Sequence, residues 1–169
     1  MISNALAAAS VGLLLGLSLE QIRQGIESYE PVGGHGHIIQ TDGMTIMDDC
    51  YNANPVSMKA GIDVLHEVED ARTVAVGTDE TKLHYEVGQY AAQKGISVII
   101  SIGSLAKNYE EGICDVSSRG GYNGTHLYYP DLDEFLEKGI GEIRKGDALL
   151  VKASHAMHFE KIVKKLQEQ

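Results

Sequence analysis

The chain has 169 residues, 43% of them apolar and 22% charged, with 14 Lys and Arg against 24 Asp and Glu. That length allows one buried core and a small appendage, and a formal charge of −10 without a basic run excludes nucleic acid and anionic membrane as expected partners, since Lys and Arg would have to hold them. The most apolar stretch, Ala5 to Leu17, is too short to cross a bilayer and lacks a basic flank, and two cysteines make no disulfide framework, so a cytoplasmic domain is expected.

Residues 4–16 and 18–29 read as two short helices, the second opened by Ser18 with Gln21 at the spacing of a capping box. Pro31-Val32-Gly33-Gly34 breaks the pattern and reads as a hinge between residues 1–31 and an α/β domain over 32–169. From His37 the signals alternate: strands 37–41 and 44–50 around an Asp42-Gly43 turn, helix 55–68, strand 72–77, helix 80–94, strand 97–102 and helix 104–112. After a glycine-rich loop at 120–124 come a short strand near Leu127, helix 131–143, strand 147–152 and helix 155–167. Strands separated by helices predict a three-layer α/β fold, with a mostly parallel sheet of about six strands and an antiparallel N-terminal hairpin strand. His84 reads as a helix-surface residue and Cys114 as core.

A two-residue type I′ turn at Asp42-Gly43 pairs Thr41 with Met44, and stepping outward sets His37 opposite Asp48 and His35 opposite Cys50. His35, His37, Asp48 and Cys50 then share one face of the hairpin. The alternative is a register slip at Gly34 and Gly36, with histidines that decorate a solvated strand end. Asp48-Asp49-Cys50-Tyr51-Asn52-Ala53-Asn54-Pro55 reads as a strand ending in carboxylates, a tight loop, and a helix capped by Asn54 with Pro55 in its first position. Such a carboxyl edge is where open α/β sheets bind ligands.

That run, continued by Val56-Ser57-Met58-Lys59-Ala60, resembles the start of the C-terminal domain of the Mur ligases of peptidoglycan synthesis, most closely their D-alanyl-D-alanine-adding branch. Asn4-Ala5-Leu6-Ala7-Ala8-Ala9 is similar to the end of the family's central domain, Tyr29-Glu30-Pro31 to the domain junction, and Leu150-Val151-Lys152 to a segment near the end. The resemblance implies an ATP-dependent joining of a carboxylate to an amine. It would put Asp48, Asn52 and Asn54 near the nucleotide, and Lys152 and Ser154 near the substrate. The family holds ATP mainly through a glycine-rich loop of its central domain. The sequence contains no G-x-x-x-x-G-K-[ST], so it is not expected to be a complete ligase alone.

The departures from the family gather at the same edge. Gly34-His35-Gly36-His37 stands where relatives carry a Gly-Arg pair, and Lys152-Ala153-Ser154-His155-Ala156-Met157 where they carry Lys-Gly-Ser-Arg-Gly-Met. A long loop bearing Leu-Gly-Asp-Met is reduced to Gly77-Thr78-Asp79-Glu80. Histidine does not replace the bidentate fork of arginine, so this edge reads as engineered or diverged.

Two chemistries are open there. His35, His37, His155 and His158, the last two at i, i+3 of the expected helix 155–167, could offer nitrogen ligands to zinc beside Asp48 and Cys50. The alternative is exposed imidazoles that take only adventitious metal. In the second chemistry His35 deprotonates Cys50, Asp48 orients the imidazole, and the amides after Asn54 hold an oxyanion, which would suit ester hydrolysis. The alternative is a small buried thiol. Four readings stand: a Mur-ligase-like domain without complete ligase activity, a hydrolase using the Cys–His dyad or a His-bound metal, a nucleotide- or peptide-binding module, and a structural scaffold with no activity. A small-molecule ligand is expected, zinc is a candidate, and ATP enters only through the resemblance. Residues 1–30, if derived from a surface that packed on another domain, leave an apolar patch able to form a homodimer.

Overall fold

The computed structural model describes residues 2–30, 33–77 and 84–168. Pro31 and Val32 of the expected hinge, the shortened loop Thr78-Asp79-Glu80 and the first residues of the expected helix 80–94 lie outside the described residues. The chain divides into two compact units, residues 1–31 and 32–169.

In the first unit α1 (Ile2–Leu14) and α2 (Leu19–Glu27) form the helix pair. The Ser18 hydroxyl accepts from the Gln21 N–H and the Gln21 side chain accepts from the Ser18 N–H, closing the capping box. Leu6 and Leu14 stay 63% and 87% exposed, so α1 carries the apolar surface that its composition implies. Among the described residues no helix is long and apolar enough to cross a membrane.

The second unit is built on β1 (His37–Gln40), β2 (Thr45–Asp49), β3 (Arg72–Gly77), β4 (Val98–Ile102), β5 (Thr125–Tyr129) and β6 (Asp147–Lys152). They form one sheet in the order β1-β2-β6-β3-β4-β5, antiparallel between β1 and β2 and parallel elsewhere. Every residue of β6 is buried, which explains its unbroken apolar run Ala148-Leu149-Leu150-Val151. Side chains alternate across the sheet. Val74, Val76, Ile100, Leu149 and Val151 join Phe135, Phe159 and Ile162 on one face, whereas Ala75, Ile99 and Leu150 join Ile62, Val87 and Ile113 on the other. The second face is covered by α3 (Pro55–His66), α4 (His84–Gln93) and α5 (Asn108–Ser117), the first by residues 132–143 and α7 (Glu160–Gln167). At the amino edge Arg72 forks onto the buried Asp147 carboxylate at 2.8 and 2.6 Å, tying β3 to β6.

The expected hairpin register is present, with His37 opposite Asp48 and the Thr41 N–H donating to the Met44 carbonyl at 2.9 Å. The turn is not type I′: of its two central residues only Gly43 has positive φ, at 121°. Four other expectations are corrected. Residues 131–143 form one α turn, Leu132–Glu134 (α6), then a wider turn over Phe135–Gly139 and a 3-10 turn over Ile140–Glu142, because Gly139 and Gly141 weaken the helix. The expected helix 155–167 is a 3-10 turn, His155–Met157, separated from α7 by His158 at φ 56°. Cys114 is exposed, and His84 is fully buried against Tyr109, with Nδ1 bonded to the Leu105 carbonyl at 2.5 Å.

Candidate functional site

β6 lies between β2 and β3, yet the chain leaves it toward α7 on one face, while β2 and β3 lead to α3 and α4 on the other. Divergent connections leave a crevice at the carboxyl ends of these three strands. Asp49, Lys152 and Gly77 stand side by side there in register.

Lys152 is 1% exposed, and its ammonium donates to the Asp49 carboxylate and, at 2.8 Å, to the Asn52 carbonyl. A buried ammonium persists only when paired in this way. It therefore fastens the loop 49–52 to the central strand instead of presenting a free charge. Asn54 is spent similarly: its side chain accepts from the Ser57 N–H at 2.9 Å while the Ser57 hydroxyl accepts from the Asn54 N–H at 3.2 Å. Asn52 is exposed at the mouth of the crevice. The Ser154 hydroxyl is buried and has no hydrogen-bond partner among the described residues.

Asp48 is 7% exposed, and its two carboxylate oxygens accept from the Gly34 N–H at 3.1 Å and the Cys50 N–H at 3.3 Å. It joins the start of the hairpin to the loop. Beside it opens a cleft of about 360 Å³ lined by Gly33, Gly34, His35, Asp48, Cys50, Tyr51, His155 and Glu160. His35, Asp48, Cys50 and His155 are thus brought together. His37, although opposite Asp48, is not in the lining.

The zinc centre expected from His35, His37, His155 and His158 does not form. Among the described residues no three His, Cys, Asp or Glu side chains are grouped to hold a metal ion. The Tyr51 ring intervenes, 4.1 Å from His35 and 5.9 Å from His155 between centroids, and His158 turns away to Glu160, with Nδ1 to carboxylate at 3.1 Å. The dyad is corrected as well. Cys50 is buried and its thiol donates to the Val151 carbonyl at 3.5 Å. Burial, the contact with Asp48 and the charges of Asp48, Glu160 and Asp49 push its pKa far up, so the nucleophilic thiolate is suppressed. In the native protein a thiol reagent is expected to modify Cys114 at least about a hundredfold faster than Cys50, and both equally once unfolded. Peptide mass spectrometry after timed labelling checks this.

Tyr51 and Glu160 were not singled out as functional in the sequence. Tyr51 had a signal, lying inside the Asp48–Pro55 run, whereas Glu160 reaches the cleft only through the break at His158.

Residues 36–155 match the family model described as Mur ligase, glutamate ligase domain. The chain belongs to the Mur ligase C-terminal domain family. Curated UDP-N-acetylmuramoyl-tripeptide–D-alanyl-D-alanine ligases are similar to it: that of Mycobacterium bovis is 31% identical over 92% of this chain and 35% of the relative. That of Escherichia coli is 30% identical over 99% and 37%. The chain therefore spans a little over a third of the length of these relatives. Among solved structures, MurF from Acinetobacter baumannii superposes with a TM-score of 0.81 at 27% identity, over 98% of this chain and 37% of that one. The MurF ligase of Thermotoga maritima, solved in complex with ADP, superposes with a TM-score of 0.69 at 21% identity over 94% and 36%, a likeness of fold. The six-stranded sheet is thus the Mur ligase C-terminal fold, and the run Asp48–Pro55 lies within the matched residues.

Proposed function

We propose that this chain is the C-terminal part of a D-alanyl-D-alanine-adding Mur ligase, and that it binds nucleotide or peptide without completing the ligation itself. The observation that carries this reading is the crevice at the carboxyl edge, where the family-matched loop 48–55 is locked onto Lys152 and presents Asn52 outward. The related Thermotoga maritima ligase holds ADP, which supports a nucleotide as one ligand. Among the described residues of the crevice nothing cradles a triphosphate. The crevice's buried cation is committed to Asp49, a second carboxylate, Asp48, adjoins it, and the sequence has no phosphate loop. Contacts from this chain therefore go to the nucleoside or the peptide, and phosphoryl chemistry belongs to residues that this sequence lacks. We read the histidine-bearing edge as a diverged rim, since the state of Cys50 and the separation of the imidazoles disfavour a hydrolase.

Titration of the protein with adenosine, a nonhydrolysable ATP analogue and D-alanyl-D-alanine, followed by NMR, tests the reading. Saturable shifts in loop 49–54 are expected with at least one ligand, weakened about fivefold or more by Asn52→Ala, and with adenosine within a few-fold of the ATP analogue. Absence of saturable binding by all three would overturn it.

A further inference from the structure

The cleft beside the crevice has a character that the ligase reading does not use. Three rings follow one another in its lining, His35 to Tyr51 at 4.1 Å and Tyr51 to His155 at 5.9 Å between centroids, and His158 lies behind His155 at 6.4 Å. Tyr51 is 53% exposed, so part of its ring is open to a ligand. Two carboxylates, Asp48 and Glu160, share the lining, and among the described residues no lysine or arginine does. Asp48 is already occupied by two backbone N–H groups, whereas Glu160 is exposed and aimed by the His158 imidazole at 3.1 Å. Aromatic faces attract cations through their quadrupole, and organic ammonium groups are the ligands that rings and carboxylates recognise together. Among the described residues a phosphate would meet two negative charges without a fixed positive one, and a metal ion would lack a third ligand.

We propose that this cleft binds an organic ammonium group, seated against the rings of Tyr51 and His155, with Glu160 as its principal counter-charge. At about 360 Å³ the space matches a small molecule. The proposal rests on Tyr51, His155 and Glu160 and uses neither Asn52 nor Lys152, so Glu160→Gln tests it while Asn52→Ala tests the ligase reading.

The test is an NMR titration of the full chain with tetramethylammonium chloride near pH 8, where imidazole is ordinarily uncharged, at about constant ionic strength. The ring signals of Tyr51, His35 and His155 are expected to shift saturably, while tert-butanol, of similar shape but neutral, and inorganic phosphate leave them unsaturated. Tyr51→Leu and Glu160→Gln should each weaken binding by about threefold or more. Should Tyr51→Leu disturb the hairpin, Glu160→Gln, at an exposed site, still decides. Shifts no larger than those from sodium chloride overturn the proposal. So do equal affinity for tert-butanol, saturable phosphate binding at the same rings, or unchanged affinity in Glu160→Gln.

Discussion

Replacing Gly112 by alanine is expected to destabilise the second unit by about 2–4 kcal/mol, at the upper end of what overpacking costs. A Cβ at Gly112 would overlap the Tyr85 carbonyl oxygen of α4, and one at Gly88 would lie 2.6 Å from the Tyr109 carbonyl of α5. The two helices therefore meet backbone to backbone, glycine against carbonyl on each side. Backbone cannot rotate away as a side chain can, so α4 and α5 must separate and the contacts of Val87, Ala91, Ile113 and Val116 with the core loosen. The helical preference of alanine over glycine returns only about 1 kcal/mol. Gly25→Ala is the control, because nothing lies within 4 Å of a Cβ there, and it should be neutral or slightly stabilising. Urea unfolding checks both. A midpoint for Gly112→Ala indistinguishable from the parent would show that the helices have room the structure denies them.

That close approach was invisible in the sequence, where Gly88 and Gly112 are two glycines among nineteen. What was legible had a local cause. The alternation of helix and strand signals predicted the parallel sheet, and β3 and β6 match their expected bounds of 72–77 and 147–152. The capping box at Ser18 and the cap at Asn54 each rest on neighbouring residues, and the structure adds Ser57 to the second as a reciprocal partner. The hairpin register was also readable despite a different turn type, because the pairing of Thr41 with Met44 fixes it. Failures came where distant packing overrode local pattern. Residues 155–167 have helical composition, but the chain must leave β6 and reach the opposite face, and His158 takes a left-handed conformation to do so.

The site was read half correctly for the same reason. Register placed His35, Asp48 and Cys50 in one neighbourhood, and all three line the cleft. Register could not tell that the Cys50 thiol reaches the Val151 carbonyl, 101 positions away, or that Tyr51 fills the space between two imidazoles. Lys152 shows the same limit. The family resemblance implied a substrate contact for it, and only the fold reveals that its ammonium is spent inside the protein.

Lys152→Met is accordingly expected to cost about 2–4 kcal/mol, the range for removing one partner of a buried ion pair, discounted because the Asp49 side chain keeps 22% exposure. Methionine fills much of the same volume but leaves the Asp49 carboxylate without its cation and the Asn52 carbonyl without its donor. Adding Asp49→Asn removes the stranded charge, so the double variant should recover about 1–2 kcal/mol of the loss. A residue that served only to touch substrate would give a different pattern: little change in stability for Lys152→Met and no recovery in the pair. Loop position separates the two roles further. If Lys152 is the fastener, the amide signals of residues 50–54 move in Lys152→Met without any ligand present, and ligand binding through Asn52 weakens because the loop has shifted. Unchanged amide signals together with a stability loss below about 0.5 kcal/mol would assign the ammonium to the ligand after all.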